Sequence, residues 1–140
     1  MAVTRGTERP ISYSSGSATL KAEIPVMEGT AINEHKTVIA PLAQTSKISG
    51  VTMTDAVYLG QGVDVMSTPG ARVKLQIATG QVGTKDLYAI LDATEFALGR
   101  VKAATLAQAV TATATVIGKF TESGVALDFV EVELMLQATV

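Results

Sequence analysis

The end of the chain carries a regular alternation of apolar and polar residues that constrains the fold more than any other feature. From Val130 to Leu136, every even-numbered residue is a valine or a leucine. Glu131 and Glu133 hold odd-numbered positions, and Met135 is the one exception. Successive side chains of a β-strand point to opposite faces of the sheet. The period of two therefore predicts a strand with one buried face and one solvated face.

Similar short stretches recur along the chain and are separated by turn-forming residues. The earlier predicted strands are 18–26, 37–41, 56–67, 72–77, 87–91, 97–102 and 110–120. Turn signals roughly every ten residues are typical of an antiparallel barrel or sandwich. A parallel α/β fold needs crossover helices of about ten or more residues, and only 41–47 and 103–109 have helical character. We therefore predict a mainly β fold, a small antiparallel barrel or sandwich with at most one or two short helices.

Particular residues support three local predictions. Thr68-Pro69-Gly70 offers proline and glycine at the central positions of a tight turn, which predicts that 56–67 and 72–77 pair as a hairpin. Gly60-Gln61-Gly62 interrupts the first of these strands and indicates a bulge, because neither a third glycine nor a helix follows to make a phosphate loop. The Thr-rich face of 110–120 favours a strand, since branching at Cβ restricts side chains in helices.

The first 17 residues differ in character from the rest of the chain. They are polar, contain the Ser14-Ser15-Gly16-Ser17 tract, and show no apolar alternation. Terminal segments of this composition commonly lie outside the core. We predict an extended N-terminal arm at residues 1–17, followed by a single β domain at residues 18–140.

Composition limits the classes of partner. Charged residues make up 17% of the 140 residues, below the roughly 25% of an average soluble domain. This favours a surface partly covered by partners, because large exposed apolar patches are uncommon on monomers. The net charge is −2 and no basic cluster occurs, which argues against nucleic-acid binding. The absence of cysteine excludes disulfides, thiol catalysis and cysteine-ligated zinc.

The sequence shows no targeting or membrane signal. Its first 20 residues lack the apolar centre of a signal peptide. No apolar run approaches the roughly 20 residues of a membrane span. We expect cytosolic synthesis and no membrane partner.

Few residues could carry catalysis. His35 is the only histidine, so a metal site would lack a second histidine ligand. Glu131 and Glu133 share one face of a strand, where carboxylates are more often a solvated stripe than an acid–base pair. No G-x-S-x-G motif occurs, and the three tyrosines do not form a stacking platform for single-stranded nucleic acid. We expect a scaffold or interaction protein with no enzyme activity, no cofactor and no metal.

The C-terminal half has a distinctive order of motifs. Gly83 to Ala89 (GTKDLYA) is followed by Gly99-Arg100-Val101, then Val116 to Phe120 (VIGKF), a turn at Glu122-Ser123-Gly124, and the closing Val130 to Leu134 (VEVEL). This order resembles the small capsid decoration, or cement, proteins of tailed double-stranded DNA phages. In those proteins similar strand and turn motifs build a small β-barrel-like domain.

The resemblance implies a function for the molecule as a whole. It implies a virion structural protein, made in the host cytoplasm, that binds the outer surface of the phage head and clamps the capsid non-covalently. The implied partners are the major capsid protein and further copies of the chain, in a homotrimer. The polar arm is then suited to reach the shell or a neighbouring subunit by strand addition. Its candidate contact residues are Arg5, Arg9, Ile11 and Tyr13.

Three other classes of function remain open from the sequence. The chain could be a tail, baseplate or head-joining component of a virion. It could be a small β module that binds a carbohydrate or another ligand, although three Tyr and three Phe are few for an aromatic-lined pocket. A small enzyme is the third alternative.

Overall fold

The computed structural model describes residues 10–31 and 36–137, and the calls on Arg5, Arg9 and His35 lie outside these ranges. The described residues form a mainly β protein with two five-stranded sheets. The strands of the first sheet are β1 (Ile11–Ser15), β2 (Pro25–Glu28), β3 (Thr37–Ile39), β4 (Gly50–Thr52) and β5 (Gly62–Met66). Those of the second are β6 (Arg72–Gln76), β7 (Tyr88–Leu91), β8 (Val101–Ala104), β9 (Val116–Phe120) and β10 (Phe129–Gln137). A 3-10 turn (Phe96–Leu98) precedes β8, and a short helix, α1 (Leu106–Ala112), follows it.

The first sheet closes on itself as a barrel in the order β1-β3-β2-β4-β5. β1 pairs antiparallel with β5 and parallel with β3, whereas the other neighbouring strands of the barrel are antiparallel. The interior of the barrel is filled by small and medium aliphatic side chains, namely Leu20, Val26, Val38, Ala56, Val63 and Val65. Closure leaves no free edge strand in this sheet, which removes a common route to aggregation.

The second sheet has the order β6-β10-β9-β7-β8 and supplies the larger apolar core. Val73, Leu75 and Ile117 of this core are fully buried. Val51 of β4 and Met66 of β5 belong to the same cluster. The core therefore continues from the second sheet onto the barrel.

The predicted C-terminal strand is confirmed as β10. Val130, Val132 and Leu134 are buried, and Glu131 and Glu133 are partly exposed on the opposite face. The alternation ends with an irregular register between Leu134 and Gln137.

The predicted hairpin of 56–67 with 72–77 is wrong. β5 and β6 belong to different sheets, and β6 pairs with β10 instead. Residues 70 and 71, between β5 and β6, are already bound to β10. Leu134 N–H donates to the Ala71 carbonyl at 2.8 Å, and Gly70 N–H donates to the Leu134 carbonyl at 2.9 Å. The proline and glycine turn is therefore a connection between sheets.

The predicted strand at 18–26 is wrong over most of its length. Glu23 adopts a positive φ of 63°, which breaks an extended backbone. Asp55 accepts a hydrogen bond from Ala22 N–H at 2.6 Å, and Leu20 makes only an isolated bridge with Ala56. The regular strand begins at Pro25, at a first position that suits proline because it needs no ladder donor.

The predicted strand at 110–120 and the predicted helix at 103–109 are both misplaced. The helix runs from Leu106 to Ala112, and the strand begins only at Val116. Thr105 and Gln108 form a capping box that begins the helix, and Thr113 ends it with a positive φ of 53°. Residues 41–47 form turns without a helix.

The predicted arm requires a correction within the described residues. Residues 11–15 are β1, a strand of the closed barrel, and its backbone is paired on both sides. Ser15 is fully buried, and its hydroxyl donates to the Ser17 carbonyl at 2.7 Å. Polar composition hid this strand because serine, not an aliphatic residue, holds an inward position.

Candidate binding surfaces

β1 places two of the predicted contact residues on the same face of the strand, the face that also carries the buried Ser15. Ile11 pairs with Val65 and is half exposed, and Tyr13 pairs with Val63 and packs partly against the barrel core. Both line a shallow cleft with an estimated volume of about 600 Å³, together with Ser12, Ser14, Lys36, Gly60 and Gly62. Lys36 is exposed and is the cationic residue of this lining. The structure therefore brings Ile11 and Tyr13 together on a rigid barrel strand.

The outer face of the second sheet carries two ion pairs, one between neighbouring strands and one from β6 to the turn between β9 and β10. Arg72 of β6 contacts Glu131 of β10 at 3.1 Å, and Thr121 donates its hydroxyl to the same carboxylate at 2.8 Å. Lys74 contacts Glu122 at 3.2 Å. The Glu131 backbone N–H and then the Lys74 ammonium lower the pKa of Glu122. Glu131 is therefore held in a cross-strand network, an arrangement that fits a structural role better than acid–base chemistry.

Glu95 ties two loops of the second sheet together. Its carboxylate contacts Arg100 at 2.8 Å and accepts hydrogen bonds from the Thr79 hydroxyl at 2.9 Å and the Thr79 N–H at 3.1 Å. The Arg100 guanidinium, followed by the two Thr79 donors, lowers the pKa of Glu95. These contacts fix the 3-10 turn beside the end of β6.

Asp92 begins the same loop. Burial by itself would raise the pKa of Asp92, but hydrogen bonds from Glu95 and Thr94, with Lys102 nearby, outweigh burial and lower it. The Asp92 carboxylate accepts from the Thr94 N–H at 3.0 Å and the Glu95 N–H at 2.9 Å. The Asp92 carboxylate therefore stabilises the loop by binding its backbone at Thr94 and Glu95.

Across residues 10–31 and 36–137, no group of three or more histidine, cysteine or carboxylate side chains could hold a metal ion. No helix in this part of the chain is long and apolar enough to cross a lipid bilayer.

Exposed apolar side chains cluster in three places. Val57, Tyr58 and Leu59 are consecutive and exposed on the loop before β5. This loop is ordered by its own polar groups, because Val57 N–H donates to the Gln61 side chain at 2.7 Å and Gly60 N–H donates to the Ser15 carbonyl at 2.8 Å. Three consecutive exposed apolar residues on a fixed loop are typical of a contact surface.

The second cluster lies at the start of β10. Val125, Leu127 and Phe129 are each about half exposed, on the turn that leads into the strand. Leu98 of the 3-10 turn is similarly exposed, and it lines a cleft together with Phe129. The third cluster is the outer face of α1, where Leu106 and Val110 are exposed one turn apart.

No protein-family profile matches the chain, and no curated protein sequence is significantly similar to it. Among solved structures, the fold is similar to that of the N base of the head fiber gp8.5 of bacteriophage phi29. The TM-score is 0.59 at 14% sequence identity, over 91% of this chain and 96% of that chain. The likeness therefore extends over nearly the whole of both chains, and at this identity it establishes a shared fold.

Proposed function

We propose that this chain is a structural protein of a tailed-phage virion that binds the outer surface of the head and stabilises the capsid by non-covalent clamping. The observation that carries the proposal is the fold it shares with the N base of a phage head fiber, over almost the full length of both proteins. The motifs that resemble capsid decoration proteins support the same proposal. They extend from the connection before β7 to β10.

The surface we assign to the shell is the β1 cleft lined by Ile11, Tyr13 and Lys36. β1 is hydrogen-bonded to β3 and β5, so its exposed side chains are already ordered before binding. Contacts made by ordered groups lose less conformational entropy on association than those of a flexible segment. Arg5 and Arg9 precede this strand in the sequence and belong to the same proposed contact.

The proposed partners are the major capsid protein and further copies of this chain, in a homotrimer. Positions on a capsid where three capsomers meet offer the matching threefold symmetry. Three modest contacts made by one trimer raise avidity by orders of magnitude without any new kind of contact. Clamping of this kind requires surface complementarity and neither a cofactor nor a catalytic step.

Head binding is the direct test. Purified protein is mixed with heads assembled without it, and the heads are sedimented and then heated to follow the release of DNA. We expect saturable co-sedimentation and a higher temperature of head disruption.

A matched pair of variants distinguishes a specific contact from adsorption. Ile11→Asp places a charge on the half-exposed β1 position, and we expect weaker binding. Leu42→Asp makes the same kind of change at an exposed loop position that does not line the β1 cleft, and we expect binding as in the wild type. Failure of the folded wild-type protein to bind heads would contradict the proposal. Tubes, or rings of many more than three copies, formed by the protein alone would favour a tail or joining component.

A further inference from the structure

The turn from Val125 to Phe129 presents apolar side chains in an unusually fixed way. Val125, Leu127 and Phe129 are 63%, 48% and 50% exposed. The Asp128 carboxylate accepts from Val125 N–H at 3.0 Å, and Asp128 N–H donates to the Val125 carbonyl at 3.1 Å. The turn is also tied to β6, because Gln76 Nε2 donates to the Leu127 carbonyl at 3.2 Å and Leu127 N–H donates to the Ile77 carbonyl at 2.9 Å.

The central residue of this turn is a leucine in a conformation that favours glycine. Leu127 has φ of 68°, in the left-handed region, where a side chain other than Gly, Asn or Asp is uncommon. Glycine would satisfy the same backbone without strain. A strained residue persists where surrounding bonds hold it, and such residues cluster at functional positions. The exposed Leu127 side chain is therefore not explained by the needs of the turn.

A cleft of about 440 Å³ lies immediately beside the turn, between the barrel and the second sheet. Phe129 and Leu98 form one wall, and Leu20, Ile24 and Ala40 contribute apolar atoms from the barrel side. Gln76, which holds the Leu127 carbonyl, also lines it. Three charged residues line the cleft: Arg100 is paired with Glu95, Glu23 has an interaction of its own within the chain, and the exposed Lys21 has no ion pair among the described residues. A cleft of this volume and lining admits an apolar side chain.

We propose that the 125–129 turn of one copy of this chain inserts Leu127 into the cleft of a second copy. A projecting apolar side chain and an apolar cleft occur side by side on the same molecule, so neighbouring copies around an axis can supply both halves. Charge agrees with the same occupant, because Asp128 beside the projection is opposite in sign to Lys21, the lining residue without an ion pair among the described residues. A contact between two different patches is heterologous, and such contacts close into rings when the rotation is suitable.

The contact is tested on the free protein by analytical ultracentrifugation at micromolar concentration and above. We expect the wild type to associate. Leu127→Asp places a charge on the projecting side chain, and Leu98→Asp places a charge in the lining of the cleft. We expect each variant alone to lose association. Far-UV circular dichroism and thermal unfolding check that both variants remain folded, as expected for substitutions at exposed positions.

Mixing the two variants gives the sharpest readout. The intact turn of the Leu98→Asp copy fits the intact cleft of the Leu127→Asp copy, so an equimolar mixture should form a heterodimer although neither variant associates alone. Absence of a complex in the mixture, association of either folded variant alone, or a wild type that stays monomeric over the whole concentration range would each overturn the proposal.

Two further variants separate this contact from general stickiness. Tyr58→Asp changes an exposed apolar residue on the separate 57–59 loop and should leave association unchanged. Leu127→Gly relieves the backbone strain and removes the side chain, so it should weaken association without lowering the unfolding temperature. Because no heads are present, the outcome is independent of the head-binding experiment.

Discussion

At the scale of single residues, Gly118 in β9 illustrates how closely the second sheet is packed. A Cβ atom at this position would collide with the Glu133 carbonyl oxygen and with the Val132 side chain on β10. A backbone oxygen in a paired strand cannot move aside as a flexible side chain can. Close approach of β9 to β10 therefore requires glycine here.

We predict that Gly118→Ala destabilises the protein by roughly 1–3 kcal/mol, the usual cost of overpacking a core. For a domain of this size, a lowering of the unfolding temperature by several degrees should result. Gly62→Ala is the matched control, because a Cβ at Gly62 in β5 meets nothing within 4 Å. Equal unfolding temperatures for the two variants would contradict the close approach of β9 to β10 at Gly118.

Glu95 gives a residue-scale prediction about pH. Its pKa is lowered from the ordinary 4.5 in the folded protein, first by Arg100 and then by Thr79. The unfolded chain binds this proton at a higher pH than the folded protein does. The stability from Glu95 is therefore present above about pH 4.5 and is lost as the pH falls through the lower folded value.

Glu95→Gln should remove part of this dependence. We expect the free energy of unfolding of the wild type to fall more steeply below pH 4.5 than that of Glu95→Gln, as measured by urea denaturation across an acidic pH series. Glu28→Gln, at the exposed end of β2, makes the same chemical change outside the network. Parallel pH profiles for the wild type and Glu95→Gln would contradict the assigned contacts.

At the scale of elements, α1 shows which signals in the sequence were sufficient and which were not. Thr105 and Gln108 have the spacing of a capping box. The sequence therefore contains a signal for the start of this helix. The alternation of alanine and threonine from residue 110 onward competed with it and favoured a strand. Local capping outweighed that apparent period of two, and the strand formed only where the run of threonines ended.

Thr105→Ala removes the hydroxyl that accepts from Gln108 N–H at 3.3 Å. We predict a loss of about 1 kcal/mol, the typical value of an N-cap, measured as a lower unfolding temperature. Thr111→Ala, at an exposed position of the same helix, should be neutral or slightly stabilising because alanine is the better helix former. A Thr105→Ala variant as stable as the wild type would show that the helix does not depend on this cap.

β1 gives the second prediction at this scale. Removal of residues 1–9 leaves all five described strands of the barrel intact, so we expect the truncated protein to unfold near the wild-type temperature. Removal of residues 1–15 also deletes β1, separates β3 from β5 and exposes their edges, and we expect a much lower unfolding temperature. Equal stability of the two truncated proteins would show that residues 11–15 belong to an arm, as their composition suggests, and that the barrel does not depend on them.

At the scale of the whole molecule, fold class could be predicted from the sequence but connectivity could not. The alternation in β6 and β10 correctly placed Val73, Leu75, Val130 and Val132 on buried faces. Nothing local in the sequence says that β6 pairs with a strand more than fifty residues away, while a proline and glycine turn suggests a nearer partner. The exposed residues of the 125–129 turn were missed for a related reason, since an apolar residue looks the same in a sequence whether it is buried or exposed.

The most direct test of the proposed function is a cryo-electron microscopy map of the intact virion. The account predicts density for this barrel and its second sheet at regular positions on the outer surface of the head, with the β1 cleft toward the shell and the 125–129 turn toward a neighbouring copy. Density for the same fold in the tail, or its absence from the head surface of a virion that contains the protein, would contradict the account.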